Sequence, residues 1–123
     1  MSNIDITYDI SDVQEFMDEE KINEFVDIIL EHEKLENTEN TYVSFLITTN
    51  DVIQNINSEY RGKDTPTDVI SFAYNETENI GPFDMLGDII ISAEKVTEQA
   101  KEYGHSTERE FYYVLCHGML HLL

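Results

Sequence analysis

The sequence predicts a single α+β domain in which a small mixed sheet of about four strands packs with about four helices. Three observations carry that prediction. Short runs rich in β-branched and aromatic residues, such as "YVSFLIT" and "LGDIIIS", alternate with longer segments whose apolar residues recur every three or four positions. The length, 123 residues, suits one hydrophobic core built without disulfides or a structural metal. No internal repeat, low-complexity tract or Pro/Gly/Ser linker interrupts the chain, so positions 1–123 read as one domain.

Each element has a local reason. "IDITYD" alternates apolar and polar residues with period two, the pattern of a first strand, and it ends near "ISD". Ser11 or Asp12 then caps a helix running to about Glu33, with Val13, Phe16, Met17, Ile22, Phe25, Val26, Ile29 and Leu30 as its buried stripe. The acidic residues between them solvate the other face. "NTENT" is a turn, and "YVSFLIT" is a buried strand. Thr49 or Asn50 caps a second helix with Val52, Ile53, Ile56 and Tyr60 inward. After "RGKDTPT" come the strand-like "DVISFAY" and, past a Gly81-Pro82 turn, "LGDIIIS". Ser92 caps "AEKVTEQAKEYG", and Gly104 suits its left-handed terminal residue. The last helix opens at "HSTERE", where Thr107 and Glu110 have capping-box spacing, and runs to the end. Its final turn is expected to fray, because the last four carbonyls of a helix lack partners.

Composition narrows the function classes. Hydrophobic residues at 41% and aromatics at 11% belong to a folded chain. The start, "MSNIDITYDISDVQEF", has no basic or apolar leader region, and no apolar run approaches bilayer length, so a soluble cytoplasmic protein without membrane contact is expected. The lone cysteine, Cys116, has no internal disulfide partner and is compatible with a reducing compartment. Seven Lys+Arg against 26 Asp+Glu give a net charge of −19, which repels phosphate backbones at long range and argues against a generic nucleic-acid binder. Any role on RNA therefore needs a local positive site, made of a metal ion and a few arginines.

Two constellations hold the chemistry. His117 and His121, in "CHGMLHLL", stand one helical turn apart, so the helix itself fixes the separation of two imidazoles that can share one Zn²⁺. The bland alternative is a pair of solvated histidines. Gly118 sits where the zinc-peptidase pattern His-Glu-x-x-His places its glutamate base, so the metal face survives while the peptidase proton acceptor is absent. That glycine allows close approach to the backbone, whether by a ligand or by a packed helix. Cys116 is rotated about 100° from His117 and points to the core. The second constellation is "YRGKDTPTDVISFAY", in which Arg61, one of two arginines, can fork onto two phosphate oxygens or pair with a nearby carboxylate. Asp64, Thr65, Thr67 and Asp68 read as a turn and strand entry held by side-chain hydrogen bonds. Gly87 either allows close backbone approach or is a plain strand residue, and Asp88 either orients a histidine or simply belongs to a strand. His32 and His105 read as surface or capping histidines.

Taken together, "RGKDTPTDVISF", "LGDIIIS" and "GHSTEREF" running into "HGMLHLL" resemble, in order and spacing, the YbeY family of bacterial endoribonucleases that mature ribosomal RNA. The resemblance covers the chain from about Tyr60 onward. It implies a metal-dependent, single-strand-specific endoribonuclease of ribosomal RNA maturation and quality control, with a zincin-like helix, His117 and His121 as zinc ligands and Arg61 as catalytic arginine. The implied partners are single-stranded or ribosomal RNA and the small ribosomal subunit with its proteins, and not DNA. The family pattern, His-Gly-x-Leu-His-Leu-x-Gly-Tyr-Asp-His, places a third histidine ligand four positions past Leu123, so a C-terminally incomplete version of the domain is expected. Two other readings stay open: a metal-dependent hydrolase of another small substrate, and a non-catalytic ribosome-associated module that uses its acidic face.

Overall fold

The computed structural model describes residues 3–33, 40–74 and 84–123. Among them, strands β1 (Asn3–Tyr8), β2 (Thr41–Thr48), β3 (Val69–Ala73) and β4 (Asp84–Ser92) form one four-stranded sheet in the order β1-β2-β4-β3. β1, β2 and β4 are mutually parallel, and β3 returns antiparallel on the edge beside β4. The helices are α1 (Glu19–His32), α2 (Asn50–Arg61), α3 (Ala93–Tyr103) and α4 (Thr107–Leu122). The α+β class and the mixed sheet are as the sequence predicts.

Strand alternation divides the core in two. Val43, Phe45 and Ile47 of β2, Val69 of β3, and Ile89 and Ile91 of β4 face the larger cluster, with Ile22, Val26 and Leu30 of α1, Val96 of α3, and Phe111, Leu115 and Met119 of α4. Ile70 and Ile90 point to the opposite face, where Ile53 of α2 covers them. β4 is apolar on both sides because helices cover both, which is why "DIII" does not alternate.

Several local expectations are corrected. Residues preceding α1 do not continue it: Glu15–Met17 form a separate 3₁₀ turn, Asp18 occupies the N-cap of α1, and Val13 is exposed. The break has a cause on neighbouring elements. Tyr8 and Tyr112 donate their hydroxyls to the carbonyls of Met17 and Phe16, pinning the turn from the strand side and the helix side at once. Tyr60, expected inward, is exposed and leans edge-on against Phe72. Thr49 is the N-cap of α2 without a side-chain bond; instead Glu94 accepts from the Asn50 amide at 2.7 Å, placing a carboxylate at the positive helix end. For α4 the cap is Ser106, whose hydroxyl accepts from the Arg109 amide at 3.1 Å, one residue before the expected Thr107. The expected "NTENT" and Gly81-Pro82 turns lie largely or wholly outside the described residues.

The last turn of α4 is helical to Leu122, and Leu123 N donates to Met119 O at 3.2 Å. Gly87 lies against that turn: a Cβ there would sit 2.1 Å from the Phe72 carbonyl oxygen and 2.8 Å from Leu122 Cδ2. Its φ of +151° and the register shift beside it complete the reason for a glycine, which lets β3, β4 and the end of α4 close together.

Candidate active site

A groove of about 710 Å³ runs along the edge strand β3, lined on one side by α4 and on the other by the end of α2. Three elements deliver its chemistry. From α4 come Tyr113, Val114, His117 and His121; from α2 comes Arg61; between them lie Thr67, Asp68 and the strand residues to Phe72. The structure thus brings together all three residues singled out in the sequence.

On α4 the two imidazoles converge, with His117 Nε2 and His121 Nε2 3.0 Å apart and their rings at 80° to each other. Both side chains are exposed to the groove. Two nitrogens on one tetrahedral zinc, each at 2.0–2.1 Å, lie about 3.3 Å apart, so the pair fits a shared ion after an outward shift of a few tenths of an ångström. Among the described residues no third His, Cys, Asp or Glu joins them. Gly118, between the two histidines, is buried: a Cβ there would lie 3.0 Å from Val69 Cγ2 and 3.2 Å from Ile89 Cγ2. The packing explanation of that glycine holds, with the sheet as partner, and Ser71 Oγ donates to its carbonyl at 2.9 Å, fixing the height of α4 above β3.

Arg61 is the last residue of α2, and its position follows from how that helix stops. Gly62 takes φ +69°, its amide donates to Ser58 O, and the Lys63 amide donates to Asn57 O, a termination only a left-handed residue makes easily. The connecting loop is then tied down from α2: Asn57 Nδ2 donates to Thr65 O at 2.9 Å, and Gln54 Nε2 to the Asp64 carbonyl and carboxylate. Arg61 is exposed, and among the described residues no carboxylate pairs with it. The guanidinium therefore faces the groove available to an anion.

Behind the groove runs a polar chain. Glu110 is only 4% exposed and meets His105 Nδ1 at 3.5 Å. Carboxylates only accept, so the Gln99 amide turns its nitrogen to them, 3.2 Å from Asp68 Oδ2 and 3.3 Å from Glu110 Oε2. Glu110 is thus no capping-box member. The sequence reading missed this role, although its spacing of four from Val114 and eight from Gly118 places it on the buried face. Asp88 stays apart from the imidazoles and accepts from Tyr74 OH at 2.9 Å, so it belongs to its strand rather than to a histidine. Cys116 lies against the larger core, and His32 is a surface residue beside Glu33.

The family model for endoribonuclease YbeY matches residues 3–123. The chain belongs to that family. The endoribonuclease YbeY of Fusobacterium nucleatum is 54% identical, over 93% of this chain and 80% of its own length. That of Lysinibacillus sphaericus is 51% identical over 81% of this chain and 69% of its own. Among solved structures, TM1509 of Thermotoga maritima superposes with a TM-score of 0.63 at 28% identity, covering 97% of this chain and 71% of that one. The YbeY match includes the N-terminal half, where the motifs noted in the sequence are silent. Among the described residues no helix is long and apolar enough to cross a membrane.

Proposed function

We propose that the protein is a zinc-dependent endoribonuclease that cleaves single-stranded RNA in ribosomal RNA maturation. The observation that carries the reading is the convergence of His117 and His121 on the groove that also receives an unpaired Arg61, in a chain belonging to the endoribonuclease YbeY family. His117 and His121 would hold the ion through Nε2, with the third imidazole supplied from outside the described residues, at the position the family pattern puts past Leu123. When bound, zinc supplies Lewis-acid polarisation of a phosphoryl oxygen and lowers the pKa of a bound water.

The chain's own residues do the rest. Arg61 is charged at any working pH and forks onto two non-bridging oxygens, where it holds the negative charge that builds as the phosphorus becomes five-coordinate. Ser71 and Gly118 keep α4 at a fixed height over β3, so the imidazoles keep their place relative to the strand along which the RNA lies. Gly118 in place of a peptidase glutamate leaves that subsite without a carboxylate base, consistent with a phosphodiester rather than a peptide. Exposed acids along α1, Glu19, Glu20, Glu24 and Glu31, suit basic proteins of the small ribosomal subunit in the cytoplasm.

The test is cleavage of a labelled single-stranded RNA by the protein extended through a histidine four positions past Leu123. Cleavage should fall at least a hundredfold in Arg61→Ala and His121→Ala, roughly the loss of one transition-state contact, and a DNA strand of the same sequence should survive if the ribose hydroxyl attacks. RNA binding that persists while no cleavage is seen in any form would favour a non-catalytic ribosome-associated module.

A further inference from the structure

We propose that the groove holds single-stranded RNA by stacking a base on Tyr113, one helical turn from the imidazole pair. This deepens the nuclease reading and rests on it. The starting point is charge: at −19 the molecule repels a phosphate backbone, and among the described residues that line the groove the one arginine or lysine is Arg61. Ion pairing of that extent holds one or two phosphates, too little for a strand. Stacking on aromatic faces is indifferent to net charge and tolerates any base.

Tyr113 is placed for it. Tyr113 is 69% exposed, lines the groove and precedes His117 by one helical turn. Among the described residues its hydroxyl has no hydrogen-bond partner and its ring no aromatic neighbour. The adjacent Tyr112 shows what a structural tyrosine does on this helix: it packs on Phe25 and donates to Phe16 O. Nothing in the fold requires Tyr113. Phe72 also touches the groove, but its ring turns to the other face of the sheet, against the Ile53, Ile70 and Ile90 cluster and edge-on to Tyr60, so it serves the core. Tyr113 thus offers a π surface beside the imidazole pair, and only unpaired bases have free faces to present to it. This supplies a physical basis for single-strand selectivity.

The measurement is fluorescence anisotropy with a fluorescein-labelled, mixed-sequence single-stranded RNA in EDTA, so that binding is read without metal or cleavage. Tyr113→Ala should weaken binding about tenfold while Tyr113→Phe stays within about twofold of the parent, because the ring and not the hydroxyl is used. Circular dichroism of each variant confirms the fold. A Tyr113→Ala protein that binds like the parent, or a Tyr113→Phe protein that loses as much as the alanine variant, overturns the stacking role. If cleavage by the extended protein is lost in Arg61→Ala while Tyr113→Ala still binds fully, stacking fails and the nuclease reading stands; if the parent neither binds nor cleaves RNA, both fail.

Discussion

Tyr112 and Tyr113 are neighbours in the chain with opposite surroundings. One turns inward against Phe25 and ties α4 to the 3₁₀ turn; the other stands in the groove. Burial, aided by the carboxylates of Glu108, Asp18 and Glu24, pushes the Tyr112 phenol up to about 12. Burial raises Tyr8 as well, with Glu19 and Asp18 adding to it. A raised phenol pKa means that the native state holds its proton more tightly than the unfolded chain. The stabilisation is in full force below the ordinary value of 10.0 and is lost as pH climbs through the folded value of about 12. Urea melts should therefore show stability falling between these limits, more steeply in the parent than in Tyr112→Phe. Below pH 9 that variant should be less stable by about 1 kcal/mol, the usual net worth of one hydrogen bond. Equal pH slopes would mean that Tyr112 does not carry the effect.

At the level of elements, the end of α2 decides where Arg61 points. Gly62 stops the helix, and Asn57 then reaches from the preceding turn to hold the Thr65 carbonyl. Asn57→Ala should cost about 1 kcal/mol in stability, yet reduce RNA cleavage by more than the small unfolded fraction explains, because the loop between Arg61 and Asp68 loses its tether. Loss of activity only in proportion to loss of folded protein would remove that positioning role. The elements themselves were largely legible beforehand, since β2, β4, α3 and the body of α4 announce themselves by periodicity and end signals. Less legible was whatever depends on a partner distant in sequence. Ser11 and Asp12 have the chemistry of caps, but the stretch after them is a 3₁₀ turn whose Phe16 carbonyl accepts from Tyr112, about a hundred residues on. Glu110 looks like a capping acid, but Gln99 and His105 draw it inward. In the candidate site, the approach of the two imidazoles was readable because one helix fixes it, and Arg61 stood out because arginine is scarce. Tyr113 was not, since a lone tyrosine on a helix gives no sign of whether it is buried.

For the molecule as a whole, the excess of acid is the dominant long-range term. Among the described residues the close ion pairs are His32–Glu33, Lys95–Glu98 and His105–Glu110, and two of these depend on a protonated histidine. Attraction that salt would weaken is therefore scarce, while repulsion among 26 acidic residues is widespread. Raising ionic strength from 0.01 to 0.15 M shortens the screening length from about 30 Å to about 8 Å, well inside the span of the domain. The thermal midpoint should consequently rise by several degrees over that range, the response to roughly 1 kcal/mol in a domain of this size. Sodium, potassium and tetramethylammonium chlorides should act alike, because screening depends on ionic strength and not on the cation's fit. A midpoint that falls with salt would show that local pairs outweigh the global field. A response confined to one cation would point instead to a specific cation site. RNA affinity should follow a different rule: with one or two phosphates neutralised and bases stacked, its dependence on salt should be shallow. A steep loss with added chloride would place the strand on a basic surface that this chain's composition does not provide.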